Sequence, residues 1–190
     1  MTVECYKNMF AFCTKLEQAP KLPSVLLAHG CYQGMFQYGE SLEIPPVLPA
    51  TELADNCYAQ MFWECWNLIY TPELPARKLT YNCYCGMFRG NSKIVSAPLL
   101  PAKEMVTGCY ENMFEYCHSL ESLTAYFEHW NDTEKNTFHW LAGANATGTF
   151  YHVDVLDTDT TRDDDHIPPT WNTQSISTVD RVPLTFTSIE

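Results

Sequence analysis

Cysteines are the most reactive side chains in this chain, and eight of the nine obey a fixed spacing. One set recurs every 26 residues, at Cys5, Cys31, Cys57, Cys83 and Cys109. A second set stands eight residues further on, at Cys13, Cys65 and Cys117, and only Cys85 is out of register. Thiols bind metals or form disulfides, but an uncharged thiol also packs as a small hydrophobic group. Because a repeated position explains the spacing by itself, we interpret both sets as reduced residues of a repeated core.

Metal and catalytic motifs are weak in this sequence. A zinc site would need a close Cys pair that recurs at a second place in the chain. The nearest approaches are Cys83-x-Cys85 and Cys117-His118, and neither has such a second pair. None of the six histidines stands in a recognisable arrangement with a nucleophilic Ser or Cys, and there is no Gly-rich phosphate-binding loop. The sequence therefore predicts a protein that is not an enzyme and that uses no cofactor.

An acidic stretch near the C-terminal end contains carboxylates of the kind that calcium prefers. The candidate ligands are Asp157, Asp159, Asp163 and Asp165. Their spacing does not match an EF-hand loop, and the glycine that such a loop needs is missing. A solvated acidic loop is therefore the preferred interpretation, and calcium binding is the weaker alternative.

The elements that position these residues follow the same period. A Met-Phe pair begins four residues after each member of the first cysteine set, and no insertion or deletion breaks the pattern between residues 1 and 123. A fixed period of about 20–50 residues indicates stacked units, because one unit cannot bury its apolar side alone. We expect five repeats over residues 1–123, with the chain starting part-way through a repeat, and an acidic capping module over 124–190.

Each repeat is predicted to contain a short helix and a short strand. In the unit 53–78, Cys57, Met61 and Cys65 have the spacing of one helix face. A short strand of a parallel sheet should follow between two columns of leucines. A proline column in that stretch limits the pairing, at Pro20, Pro46, Pro72 and Pro98. The expected fold is an α/β repeat solenoid with a small α+β cap at its C-terminal end.

The repeat unit is similar to a known family. Cys-Tyr-x-x-Met-Phe-x-x-Cys-x-x-Leu, followed by Ala-Pro-x-Leu-Pro-Ala-x-x-Leu, resembles the BspA-like class of leucine-rich repeats over about residues 1–123. That class is found in surface proteins of gut and oral bacteria and in phages that infect them. The resemblance implies a right-handed solenoid and a role in adhesion or recognition, and it carries no catalytic residues. Gly39 and Asn91 depart from the pattern, because each replaces the second cysteine.

The region after the repeats is predicted to cover the last of them. Residues 133–141 have the pattern of a helix that begins at Asp132 or Thr133, and residues 149–156 and 182–189 have the pattern of strands. Aromatic and aliphatic residues in this region supply the apolar surface that a terminal cap needs.

The variable positions of the predicted strands form the best candidate binding surface. They include Gln18, Lys21, Ile44, Val47, Tyr70, Glu73, Ser96 and Leu99. Apolar side chains exposed together on one face would form a patch, and patches mark contacts with partners. The alternative is that some of them point into the core, because a shift of one residue reverses the facing of a strand.

Charge and hydropathy narrow the partners and the location. The net charge is −12, and residues 124–190 hold 11 acidic against 3 basic residues. Without a Lys/Arg cluster, such a chain is a poor partner for nucleic acid or anionic membranes. The sequence has no run of about 18 apolar residues, so membrane insertion is not expected. The N-terminus does not have the pattern of a signal peptide. We expect a cell-surface or virion location.

Two functions fit this sequence. The first is a non-enzymatic binding or adhesion module that recognises a protein or glycan through the surface of the solenoid. The alternative is a structural, decoration or host-attachment protein of a phage particle. The first repeat has no lid, and an open edge invites pairing, so we also expect a homo-oligomer or larger assembly through that repeat.

Overall fold

The computed structural model of the protein describes residues 1–158, 163 and 165–176. All structural statements concern these residues. The predicted strand at 182–189 and the candidate ligand Asp159 lie outside them.

The predicted repeat helices are wrong, because the segments that carry the cysteine, methionine and aromatic columns are runs of overlapping turns. These turn runs span residues 3–12, 29–38, 55–64, 81–90 and 107–116, with a sixth at 135–143. Every fourth residue in a run has a positive φ, as at Asn56, Gln60 and Glu64, all at +56°. A right-handed helix excludes such residues, so the expected α/β solenoid of strands and helices is wrong as well.

Backbone hydrogen bonds explain why the turn runs stack on one another. Within a run, alternate N–H groups donate to the carbonyl three residues earlier, as Met61 does to Tyr58 (3.2 Å). We call each repeat, together with its turn run, a coil. The N–H groups in between donate to the next coil. Tyr58 donates to the Cys83 carbonyl (3.1 Å) and Phe62 donates to the Met87 carbonyl (3.0 Å). These bonds between turn runs all point from one coil to the coil that follows it in the sequence.

The core is a set of side-chain columns that run through the stacked coils. Cys57, Met61 and Cys65 are fully buried in one coil. In the coils on either side, the first two positions are again a buried cysteine and a buried methionine. Rings of the tyrosine column that includes Tyr58 lie 5.7–6.2 Å apart, and rings of the phenylalanine column that includes Phe62 lie 5.6–5.8 Å apart. Each buried side chain of this size contributes roughly 1.5–3 kcal/mol relative to exposure.

The segment of each coil for which a strand was predicted forms a second side of the stack, which we call the strand side. It has little regular backbone pairing. In the first four coils the paired residues there form isolated bridges between parallel segments, for example Gln18 with Ile44 and Glu52 with Lys78. Proline has no N–H to donate, and Pro46 and Pro72 are buried in these stretches. The strands predicted between the leucine columns are therefore mostly reduced to single bridges.

Regular strands occur at the C-terminal end of the stack. The parallel strands β1 (Ser122–Thr124), β2 (Thr149–Val153) and β3 (Asn172–Ile176) form one sheet in the order β1-β2-β3. The strand predicted at 149–156 is confirmed over the five residues of β2.

The helix predicted at 133–141, and with it the helical part of the cap, is wrong. A 3-10 helix at Asp132–Glu134 leads instead into the sixth turn run. That run continues the stack, because Tyr110 in the fifth run donates to the Asn136 carbonyl (2.9 Å). Trp140 and Leu141 extend the buried columns there.

Candidate functional site

The strand side carries exposed apolar residues that we call the strand-side patch: Ile44, Val47, Ile69, Tyr70 and Val95. The exposed fraction is 78% at Val47, 62% at Ile44 and 61% at Tyr70. Single exposed apolar residues are ordinary, but a group on one face is typical of a surface that contacts a partner.

The core fixes the orientation of the patch. Leu42 and Leu48 are buried on either side of Ile44 and Val47, and these two side chains face outward although Pro46 between them is buried. Backbone contacts then join successive coils, because Gln18 bridges Ile44 and the Ile69 N–H donates to the Glu43 carbonyl (3.1 Å). The patch therefore crosses several coils as one surface.

The rim of the patch is polar and mostly acidic. The predicted binding residues Gln18, Lys21, Glu73 and Ser96 are exposed on this side, and Leu99 is half-buried. Three further carboxylates are also exposed here: Glu17, Glu43 and Glu121. All eight predicted residues thus lie on the strand side, and their role in binding stays a prediction.

The acidic loop is used for internal contacts where it is described. Asp163 Oδ1 accepts hydrogen bonds from His166 Nδ1 (2.6 Å) and from the Asp165 N–H (2.9 Å), and Asp165 Oδ1 accepts one from the His139 N–H (2.7 Å). Burial raises the pKa of Asp163, but the hydrogen bond and charge of His166 outweigh it and lower the pKa overall. Among residues 1–158, 163 and 165–176, no three His, Cys, Asp or Glu side chains are grouped as metal ligands would be. Calcium binding gains no support from this geometry.

Two thiols of the second cysteine set, those of Cys65 and Cys117, act as hydrogen-bond donors in the core. Cys65 Sγ lies 3.0 Å from the Phe36 carbonyl oxygen, and Cys117 Sγ lies 3.1 Å from that of Phe88. Burial raises the pKa of both thiols to about 12, so they stay protonated and do not act as nucleophiles near neutral pH. Asn91 takes the same position, and its amide donates to the Phe62 carbonyl (2.7 Å). The departure of Asn91 from the sequence pattern therefore conserves the donor.

A second exposed feature, on the turn-run side, was missed by the sequence analysis. Phe12 and Tyr38 stack with ring centroids 4.6 Å apart, and Tyr38 lies 5.2 Å from Trp63. Arg89 continues the row, because its guanidinium lies 5.5 Å from the Trp63 ring centroid and 5.9 Å from that of Tyr116. These ring and cation contacts join successive coils, so the row helps to hold the coils together.

Within the described part of the chain, no helix has the length and apolarity needed to cross a membrane. The chain as a whole matches no family model, no curated protein and no solved structure at a significant level. Function must therefore be argued from the surfaces of the molecule.

Proposed function

We propose that this chain is a non-enzymatic binding or adhesion module that recognises a protein or glycan partner through the surface of its stacked coils. The observation that supports this most directly is the strand-side patch, where side chains such as Val47 and Tyr70 are exposed on a rigid stack. Rigid, exposed aromatic and aliphatic side chains lose little entropy when a partner covers them. The resemblance to BspA-like repeats, which is itself a proposal, agrees with adhesion.

A protein partner fits the patch better than a glycan. The exposed carboxylates Glu17, Glu43, Glu73 and Glu121 surround the patch, and Lys21 is the basic residue among them. A partner with complementary charge would present Lys or Arg around an apolar centre. Glycans without amino groups offer hydroxyls, which pair with carboxylates but do not match apolar residues such as Ile44 and Val47.

The proposal is tested by selecting ligands with the whole chain. The immobilised protein is offered a random displayed peptide library and, separately, a glycan array. We expect enrichment of peptides that combine aromatic or aliphatic residues with Lys or Arg, and weaker binding at higher salt. Tyr70→Ala and Val47→Asp should each weaken a selected peptide at least tenfold.

A matched control separates patch binding from general damage. Tyr81 is an exposed tyrosine (48%) at the start of the fourth turn run, outside the patch. Tyr81→Ala should leave peptide binding unchanged. The patch would be ruled out as the binding surface if selected peptides bound the Tyr70→Ala and Val47→Asp variants as tightly as the parent chain. It would also be ruled out if the library yielded no enriched ligand.

A second function, that of a structural or host-attachment protein of a phage particle, is supported by a different surface. The first turn run leaves Met9 57% and Tyr6 39% exposed, although the methionines and tyrosines at the same positions of inner coils are buried. Apolar side chains exposed together on one surface suit contact with other chains. Purified particles would distinguish the two functions, because a particle protein is present at a fixed, high copy number and a free receptor is not.

A further inference from the structure

One column of exposed side chains on the strand side has acidic ends and an apolar centre. These residues occupy the same position in successive repeats, and we call them the outer column: Glu17, Glu43, Ile69, Val95 and Glu121. All of them are exposed, with Ile69 at 40% and Val95 at 46%. From the second coil to the fifth, the preceding residue is fully buried in the core: Leu42, Leu68, Ile94 and Leu120. The core beneath the outer column therefore holds it facing outward.

Hydrogen bonds set the spacing of the outer column. The Ile69 N–H donates to the Glu43 carbonyl (3.1 Å), and the Glu121 N–H donates to the Val95 carbonyl (2.8 Å). Parallel segments that pair in this way lie about 4.8 Å apart. An α-helix advances about 5.4 Å per turn, so a helix that lies along the stack places about one side chain over each coil. An extended chain places the side chains of one face about 6.8 Å apart, and it loses this register within a few coils.

We propose that the strand-side patch binds an amphipathic α-helix of a partner protein, which lies along the stack with one turn over each coil. This inference rests on the function proposed for the patch and specifies the partner. The turns over Glu17, Glu43 and Glu121 carry Lys or Arg, which match the carboxylates in charge. The two turns over Ile69 and Val95 carry aliphatic residues, which bury the apolar centre.

The side chains beside the outer column widen its apolar centre. Ile44 and Tyr70 directly follow Glu43 and Ile69 in the chain, and they are 62% and 61% exposed. An amphipathic helix buries an apolar stripe rather than a single row of side chains. Ile44 and Tyr70 therefore supply the second row that a helix of this kind needs.

The lysines of the strand side leave the charge pattern in place. Lys15 and Lys21 flank Glu17 in the first coil, so Glu17 attracts a basic residue less strongly. Lys93, in the fourth coil, donates to Asn67 Oδ1 (2.6 Å). The acidic residues of the outer column in the second and fifth coils therefore provide most of the charge recognition, and they would repel an acidic helix.

The test uses synthetic helical peptides of five turns and equal composition. In the matched peptide, one face carries Lys on the first, second and fifth turns and Leu on the third and fourth. The control peptide carries Lys on the first, third and fourth turns and Leu on the second and fifth. Each peptide is also made with its sequence reversed, because a helix can lie along the stack in either direction. By titration calorimetry, we expect the matched peptide in one of its two orders to bind the whole chain at least tenfold more tightly than either control.

Charge reversal places the helix on the outer column. Glu43→Lys and Glu121→Lys should each weaken the matched peptide at least tenfold. A Glu on the corresponding turn of the peptide should restore its binding to the Lys variant. Glu104 is also exposed but lies outside the patch, so Glu104→Lys is the matched control and should leave the affinity unchanged.

The outcomes separate this inference from the function on which it rests. A matched peptide that binds no better than the controls, or that keeps its affinity with Pro on its third turn, overturns the helix, because proline breaks a helix. If peptides selected from the library still depend on Tyr70 and Val47 in that case, the patch remains a binding surface. If no selected peptide depends on them, the proposed function fails and this inference fails with it.

Discussion

The two sides of each coil hold the molecule together in different ways. On the turn-run side, alternate residues from Tyr58 to Glu64 each donate a backbone hydrogen bond to the next coil. On the strand side, by contrast, Glu52 forms only isolated bridges with Leu26 and Lys78, and Pro72 has no N–H to donate. Backbone pairing is thus concentrated on one side of the stack.

This difference explains where the sequence is constant and where it varies. The columns that include Cys57 and Phe62 keep one residue type through the first five coils, because those side chains share the core. The strand-side column changes from Gln18 to Ile44, Tyr70 and Ser96 without disturbing the stack. A surface that carries little of the fold is free to acquire a binding function.

High pH should unfold the stack by titrating buried groups of the turn-run side. We expect this loss of stability to be the largest of those predicted. Burial raises the pKa of the Cys83 thiol to about 11, and that of the Cys65 thiol and the Tyr32 phenol to about 12. These groups stay protonated in the folded chain at a pH where the unfolded chain releases its protons. Their contribution to the free energy of unfolding is complete below about pH 9 and is lost as the pH rises toward 12. In that window, each well-buried thiol should lower the free energy of unfolding by about 1 kcal/mol per pH unit.

Urea unfolding at several pH values between about 7 and 11 measures this effect. The midpoint should be flat up to about pH 8.5 and then fall steeply. Cys65→Ala removes one of the titrating thiols, so its stability should decline less steeply with pH than that of the parent chain. A midpoint that is constant up to pH 11 would show that the thiols and phenols of the columns are exposed.

Truncation of one aromatic residue on each side should give very different losses. Phe62 is fully buried between Phe36 and Phe88, with ring centroids 5.7 and 5.8 Å away. Phe62→Ala should lower the free energy of unfolding by about 3–5 kcal/mol. Tyr70→Ala, in the patch, should change it by less than about 0.5 kcal/mol. Similar losses in chemical denaturation would contradict the distinction between the two sides.

The donor at position 91 should matter more than the identity of the side chain. Asn91→Ala leaves the Phe62 carbonyl without its 2.7 Å amide donor, which should cost about 1–3 kcal/mol. Asn91→Cys restores the thiol donor found at Cys65 and Cys117, and it also removes the buried Asn91 Oδ1, for which the described residues provide no donor. We therefore expect the cysteine variant to match or exceed the parent chain in thermal melting. Equal melting temperatures for the two variants would show that the donor is unimportant.

The columns were predictable from the sequence because burial depends on periodic side chains. The positions of Cys57, Met61 and Leu68 identify core residues whichever backbone carries them. The outward facing of Tyr70 was also within reach, since it follows from the buried leucines on either side. The aromatic row that includes Tyr38 and Trp63 could not be predicted, because these two rings occupy different positions in the repeat and meet only through the shape of the turns.

The backbone was mispredicted because a spacing of four residues has two explanations. Apolar residues at i and i+4 indicate a helix, but a chain of turns that repeats every four residues gives the same stripe. Glycine and asparagine at that same spacing, such as Gly30 with Gly34 and Asn82 with Gly86, were the contrary signal. These residues tolerate a positive φ, and they are poor helix formers.

Substitution at one of these glycines distinguishes the two backbones by the sign of the effect. Gly86 has φ +59°, and an added Cβ would meet Gln60 Cγ at 3.4 Å, an ordinary contact, so conformation rather than crowding decides the outcome. In a helix, Gly86→Ala would gain about 1 kcal/mol of stability. In a turn run it should lose about 1–2 kcal/mol, because alanine is strained at positive φ. Gln60→Gly is the reverse change at the same position of the preceding coil, where φ is +56°. It should be neutral or slightly stabilising, since relief of strain offsets the greater freedom of glycine in the unfolded chain. If thermal melting shows Gly86→Ala raising the stability and Gln60→Gly lowering it, the turn runs are helices and the directional stacking inferred from their hydrogen bonds is lost with them.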